Sequence, residues 1–146
     1  MTADDFRIQP RGPYLFNFWH ADQRVTTPFG DFVVEAHMPL EDTDPPDAEM
    51  IRQANKLAEF TRKHSKAVLQ KIYEHYQDAA HDVKWMERCG VPVGLAQDAL
   101  APYIDVLNLV VHRDRSEPTI YVVPRWDHEH AIKLAVRARK VELQDL

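Results

Sequence analysis

Two histidines two residues apart are the first candidates for chemistry in this chain of 146 residues. His128 and His130 lie in the segment YVVPRWDHEHAIKLAV, residues 121–136. Side chains at positions i and i+2 of a strand point to the same side, so both imidazoles can contact one zinc ion. Zinc needs further ligands, however, and Ile132 stands where the zinc-protease pattern HExxH requires its second histidine. A metal-dependent hydrolase or lyase using His128 and His130 is therefore kept as an alternative, and the main interpretation contains no metal site.

The same segment offers groups for acid-base chemistry. Asp127, Glu129 and His130 place two carboxylates and an imidazole within four residues, and such neighbours shift each other's pKa values. A structural role is simpler, because acids that follow a buried strand commonly accept hydrogen bonds from turn amides. We therefore predict that Trp126, Asp127, Glu129 and His130 form a structural motif at a corner between strands, and that no residue is catalytic.

Other catalytic signatures are absent from the sequence. The chain has only four glycines, and none of them forms a phosphate-binding loop, a dinucleotide fingerprint or a nucleophile elbow. The tripeptide at 112–114, His-Arg-Asp, is like the kinase catalytic loop, but Thr119 stands where the metal-binding Asn is required. The single Cys89 excludes an intramolecular disulfide. We expect a non-enzymatic protein without a cofactor.

An acidic segment is the main candidate for partner binding. It contains five acids and no base over nine residues: Glu41, Asp42, Asp44, Asp47 and Glu49. These charges can face a basic partner, because charge complementarity speeds association. They can also cap and solvate the start of a helix, with Asp44 as the N-cap before Pro45 and Pro46. Both interpretations stay open at this point.

Length and charge limit the class of protein. A chain of 146 residues fits a single domain, here residues 1–146. The net charge of -5 argues against nucleic-acid binding, since phosphates require clustered Lys and Arg. No apolar run approaches the roughly 20 residues that span a bilayer, so no membrane contact is expected. The first residues, MTADDFRIQPRG, show no signal peptide, and we expect a cytoplasmic location.

Hydrophobic periodicity predicts the elements that position these residues. Short strands are predicted within residues 13–38, followed by a helical segment from 45 to 78. This segment is expected to bend or break near His64 and Ser65, or to be followed there by a second helix. A short helix at 95–100, strands at 104–112, 119–126 and 131–138 and a last short strand within 140–146 complete the predicted elements. These elements predict an α+β fold with a mostly antiparallel sheet. One long or broken central helix and a short second helix would pack on one face of that sheet.

At WDHEHAIKLAV the sequence resembles uncharacterised bacterial domain families that carry Trp-Asp-x-Glu-His-Gly between two apolar strands. Trp126, Asp127, Glu129 and His130 match this pattern, and Ala131 replaces its glycine. A turn that needs a positive φ at position 131 is therefore in doubt. The resemblance implies an α+β domain without enzymatic activity, in some cases similar to immunity proteins that pair with antibacterial toxins.

These observations favour a protein-binding function. The main hypothesis is an immunity-type protein that neutralises a cognate bacterial toxin by direct binding, with a basic toxin domain facing the acidic segment. The alternatives are the metal-dependent enzyme described above and a homo-oligomeric structural module. A homodimer is also kept open.

Overall fold

The computed structural model describes residues 1–9, 18–39, 41–137 and 140–143, and these residues form an α+β fold, as predicted. They contain three α-helices, α1 (Ala48–Lys63), α2 (Ser65–Ala79) and α3 (Val83–Cys89). They also contain seven strands: β1 (Phe6–Gln9), β2 (Phe18–Thr27), β3 (Gly30–His37), β4 (Ile104–His112), β5 (Thr119–Pro124), β6 (Ile132–Arg137) and β7 (Lys140–Leu143). The seven strands form one sheet, and their order across the sheet is their order along the chain.

The sheet is mixed, because β3 and the central strand β4 are parallel. Val33 of β3 lies opposite Asn108 of β4, and His37 lies opposite His112. Between these strands the chain passes through all three helices and crosses one face of the sheet, which returns β4 in the direction of β3. The prediction of a mostly antiparallel sheet was wrong, since strand patterns in the sequence do not reveal which distant strands become neighbours.

The predicted break near His64 is observed, but the prediction of one central helix and one short second helix was wrong. The expected long or broken helix is two helices, α1 and α2, separated at His64, and α3 is a third. Local caps define α3: Asp82 accepts a hydrogen bond from the amide of Trp85 at 3.0 Å, and Gly90 ends the helix with a φ of 71°. The short helix predicted at residues 95–100 is replaced by two 3-10 turns, Gln97–Ala99 and Ala101–Tyr103.

The start of α1 differs from its predicted position by three residues. Asp47, and not Asp44, is the N-cap, since its carboxylate accepts a hydrogen bond from the amide of Met50 at 2.9 Å. The residues before it form a turn in which Asp42 accepts a bond from the amide of Asp44. The two prolines that suggested an earlier start precede the helix instead.

Most strand predictions correspond to strands of the sheet. The segments at 104–112, 119–126 and 131–138 coincide with β4, β5 and β6, although β5 ends at Pro124. The strand β1 was not predicted. Residues 13–17 and 144–146 of the predicted first and last strands, and residue 138, lie outside the described residues.

The core lies between the helices and one face of the sheet. Helix α1 packs against β2, β3 and β4, and α2 packs against α1 and β7. The largest fully buried side chains of the core include Phe32, Leu109, Ile120 and Leu134 from the strands and Met50, Ile72 and Tyr76 from the helices. Alternate residues of the same strands point to the opposite side, which we call the second face. None of the helices in the described parts of the chain is both long and apolar enough to cross a membrane.

Candidate functional site

The second face of the sheet contains a polar cavity of about 570 Å³, which we call the sheet cavity. Strands β3, β4, β5 and β6 and the turn before β5 supply its walls. The residues that line it are Glu35, His37, Asn108, Val110, His112, Ser116, Glu117, Thr119, Tyr121 and Lys133. Its volume lies within the range of roughly 300–1,000 Å³ that is usual for sites that bind small molecules.

Strand register explains why a cavity forms here. Val110, Thr119 and Ala135 lie side by side across β4, β5 and β6, and their side chains are short. The next row of side chains on this face lies two residues away along each strand. It contains the longer side chains of Asn108, Tyr121 and Lys133. On the other side of the short row, His37 and His112 end the parallel strands β3 and β4. Long side chains therefore stand around a floor of short ones.

A carboxylate and two imidazoles meet at one end of the sheet cavity. The Oε1 of Glu35 lies 2.9 Å from the Nε2 of His37, and Glu35 is only 7% exposed. The rings of His37 and His112 meet edge to face with centroids 5.5 Å apart. Burial lowers the pKa of His112, and the nearby His37 and Lys133 lower it further while Asp114 acts in the opposite direction. His112 is therefore held towards its neutral form.

Four polar side chains of the sheet cavity have hydrogen-bonding capacity that the protein does not use. Asn108, His112, Tyr121 and Lys133 make no side-chain hydrogen bond and no ion pair with any residue that the structure describes. They come from three adjacent strands and all line the same space. Polar groups that converge on a cavity in this way fix the orientation of a bound molecule.

The hydroxyl groups of Ser116 and Thr119 in the sheet cavity are already engaged. Ser116 donates a hydrogen bond to Asp114, and Thr119 donates one to the backbone oxygen of Glu117 at 3.0 Å. Neither hydroxyl is bonded to His37, whose imidazole is oriented by Glu35. Nucleophilic catalysis requires a nucleophile within hydrogen-bond reach of its base. This arrangement is therefore better suited to binding than to covalent catalysis.

The structure does not bring His128 and His130 together as ligands. The Nε2 of His128 lies 2.6 Å from Asp105, whereas the Nδ1 of His130 lies 3.3 Å from Asp127. The two imidazoles thus contact different carboxylates: His128 contacts Asp105 in β4, and His130 contacts Asp127 in the turn between β5 and β6. Among the described residues, no group of three or more His, Cys, Asp and Glu side chains could hold a metal ion.

The segment around Trp126 forms a corner of the fold. Trp126 is 3% exposed, its ring meets that of Tyr76 at 5.5 Å, and its backbone oxygen accepts a hydrogen bond from the Nε1 of Trp85 at 2.7 Å. Asp127 accepts a bond from the amide of His130 at 2.9 Å, which is the turn role expected for it. Glu129 is exposed and makes no hydrogen bond to any residue of the described ranges. A positive φ is found at Glu41 and Arg115 and not at Ala131.

Arginines neutralise much of the acidic segment. Asp47 lies 2.8 Å from the Nη2 of Arg115 and 3.3 Å from the Nη1 of Arg113. Asp42 lies 3.4 Å from the Nε of Arg113. The hydrogen bond from Arg115 lowers the pKa of Asp47 against the opposing effect of burial, and the Met50 amide adds to that lowering. These two acids hold the start of α1 against the turn after β4.

The remaining three acids differ in their pairing. Glu49 accepts a hydrogen bond from the Nε of Arg52 at 2.8 Å, one turn further along α1. Glu41 and Asp44 are exposed, and their carboxylates pair with no cation in the described part of the chain. Only two of the five predicted binding residues therefore present an unbalanced charge.

The sheet cavity was not predicted, although the sequence contains a signal for it. Polar residues recur at every second or fourth position within apolar strands: Glu35 and His37 in DFVVEAHM, and Asn108 and His112 in IDVLNLVVH. Such alternation places them on one face of a sheet. Only the pairing of β3 with β4, which local patterns do not predict, brings the two sets together.

Comparisons with known proteins give a family and no closer relative. Searches among curated proteins and among solved structures found no match. The family model of DUF6985, a domain of unknown function, matches residues 10–144, which includes β2 to β7 and the whole sheet cavity. The chain therefore belongs to the DUF6985 family.

Proposed function

We propose that this protein is a binding domain and that the sheet cavity is its recognition site. One observation carries the proposal: Asn108, His112, Tyr121 and Lys133 converge on one space, and their side chains form no hydrogen bond with the residues that the structure describes. These half-buried side chains surround a concave volume of the size that small ligands occupy. The engaged hydroxyls of Ser116 and Thr119 support binding over covalent catalysis.

A fragment screen with isotope-labelled protein tests this function. Fragments that bind should shift the amide signals of the strands that line the sheet cavity. Val110→Phe should abolish these shifts, because Val110 forms part of the floor and a larger side chain fills the space. Val106→Phe is the matched control, since Val106 lies on the same face of β4 but does not line the cavity. Hits that map elsewhere, or that survive Val110→Phe, would contradict the proposal.

Neutralisation of a bacterial toxin by direct binding stays a second proposal. Its support is the resemblance described above and the exposed charges of Glu41 and Asp44. Reversing both charges should weaken capture of a basic toxin domain, because charge complementarity speeds association. The variant leaves Asp47 and its arginine partners intact, so stability should not change. Unchanged capture, or no toxin gene beside the gene of this protein, would count against this role.

A further inference from the structure

We propose that the sheet cavity binds a carboxylate group, held between the Nζ of Lys133 and the ring of His112. The inference rests on the proposed binding function and adds the chemistry of the ligand. A carboxylate can belong to a small organic acid or to the C-terminus of a peptide, and the experiment below separates these sources.

Charge is the first reason. Lys133 is half-buried, lines the sheet cavity and has no ion pair among the residues that the structure describes. Arg137, a second cation on β6, is already used, because its Nε and Nη2 donate to both carboxylate oxygens of Glu117 at 2.9 and 2.8 Å. An anion beside Lys133 would therefore gain a charge-assisted hydrogen bond without breaking one.

The buried carboxylate of Glu35 limits the charge of the ligand. Glu35 lines the same cavity and is 7% exposed, so its field is weakly screened by water. A doubly charged phosphate would meet stronger repulsion from this group than a carboxylate with a single charge. One free ammonium group also balances one negative charge. The site thus favours a carboxylate.

The remaining walls suit an uncharged body of mixed polarity. The amide of Asn108 can both donate and accept hydrogen bonds, and Tyr121 offers a hydroxyl and an aromatic ring. Val110 adds an apolar floor. A carboxylic acid with an amide and an aromatic group, such as N-benzoylglycine, matches these three features and serves as the probe.

Binding of an anion here is linked to protonation of His112. The other charged or titratable groups that line the sheet cavity are Glu35 and His37 from β3, Glu117 before β5, Tyr121 from β5 and Lys133 from β6. Asp114, in the turn after β4, also acts on the His112 ring. A carboxylate stabilises the imidazolium form, so the complex takes up a proton that the free protein does not hold. Affinity should therefore rise as the pH falls.

The test compares N-benzoylglycine with its neutral amide, N-benzoylglycinamide, by titration calorimetry and amide chemical shifts. The acid should bind about tenfold more tightly, and its shifts should map to β4, β5 and β6. Lys133→Met should remove this preference, whereas Lys140→Met should keep it, since Lys140 is exposed on β7 and does not line the cavity. Between about pH 7.5 and about pH 5.5 affinity for the acid should increase, and His112→Gln should flatten that dependence.

Other outcomes would overturn the inference in distinguishable ways. Equal affinities of the acid and the amide, an unchanged preference in Lys133→Met, or tighter binding of inorganic phosphate would each overturn it while leaving a binding cavity in place. Failure of both probes to bind also overturns it, and the fragment screen then decides separately on the cavity. An acetylated peptide with a free C-terminus, tested against its amidated form, identifies the source of the carboxylate. If the free peptide binds more tightly than N-benzoylglycine, the ligand is a peptide C-terminus. If it binds more weakly, the ligand is a small organic acid.

Discussion

At the scale of single residues, Asp47 links the start of α1 to the turn after β4. Its carboxylate accepts a hydrogen bond from the Met50 amide and pairs with Arg113 and Arg115. Asp47→Ala should therefore lower the free energy of unfolding by about 1–2 kcal/mol, the cost typical of a lost N-cap. Urea denaturation followed by circular dichroism measures this change.

Asp44 provides the matched control for this prediction. Its side chain is exposed, and the bond that Arg113 donates here goes to the backbone oxygen of residue 44, which a substitution retains. Asp44→Ala should change stability by less than about 0.5 kcal/mol. Equal losses in the two variants would contradict the assignment of Asp47 as the cap and would favour a shared role of the acidic segment.

At the scale of elements, the turn between β2 and β3 depends on Gly30. Its φ is 148°, and a Cβ at this position would lie 2.7 Å from Cδ1 of Leu107. Gly30→Ala should destabilise the protein by about 1–3 kcal/mol, because L residues rarely adopt this backbone conformation. Gly90 has a φ of 71° and open space around it, so Gly90→Ala should cost only about 1 kcal/mol. Thermal unfolding that ranks the two variants in the opposite order would contradict this account.

Elements were predicted from the sequence more successfully than their arrangement. The β-branched runs that became β4, β5 and β6 were visible because apolar strands bounded by turn residues have a local signature. The helix at Val83–Cys89 was not predicted as a separate element, because its apolar pattern is short and only Met86 is buried. The cavity could not be predicted, since it requires His37 and His112 to become neighbours across a parallel pair whose strands are separated by the whole helical region. Contacts of that kind are set by packing of the complete core.

At the scale of the whole molecule, stability should fall in two stages as the pH decreases. Burial lowers the pKa of His75 and of His112, so the unfolded chain binds protons at a higher pH than the folded protein does. Stability due to these histidines is complete above their ordinary pKa of about 6.5 and is lost as the pH falls from there towards their lower folded values. The hydrogen bond from Arg115 lowers the pKa of Asp47, and at Asp105 the bonds from Arg125 and His128 outweigh the raising effect of burial. Stability due to these carboxylates is present above their ordinary pKa of about 3.9 and is lost only below it.

Urea denaturation at a series of pH values between about 7.5 and about 3 would resolve the two stages. The double variant His75→Gln, His112→Gln should lack the upper stage, because it has no imidazole at either half-buried position, and should retain the lower one. Asp47→Ala should instead weaken the lower stage, because it removes a carboxylate whose protonation contributes to that stage. A wild-type protein whose stability rises as the pH falls from about 7 to about 5 would contradict the burial of neutral histidines.

The same upper stage should shift when a carboxylate binds in the sheet cavity, because an anion beside His112 raises the pKa that burial lowers. Stability and recognition would then share one titrating group, and saturating N-benzoylglycine should reduce the loss of stability over the upper stage.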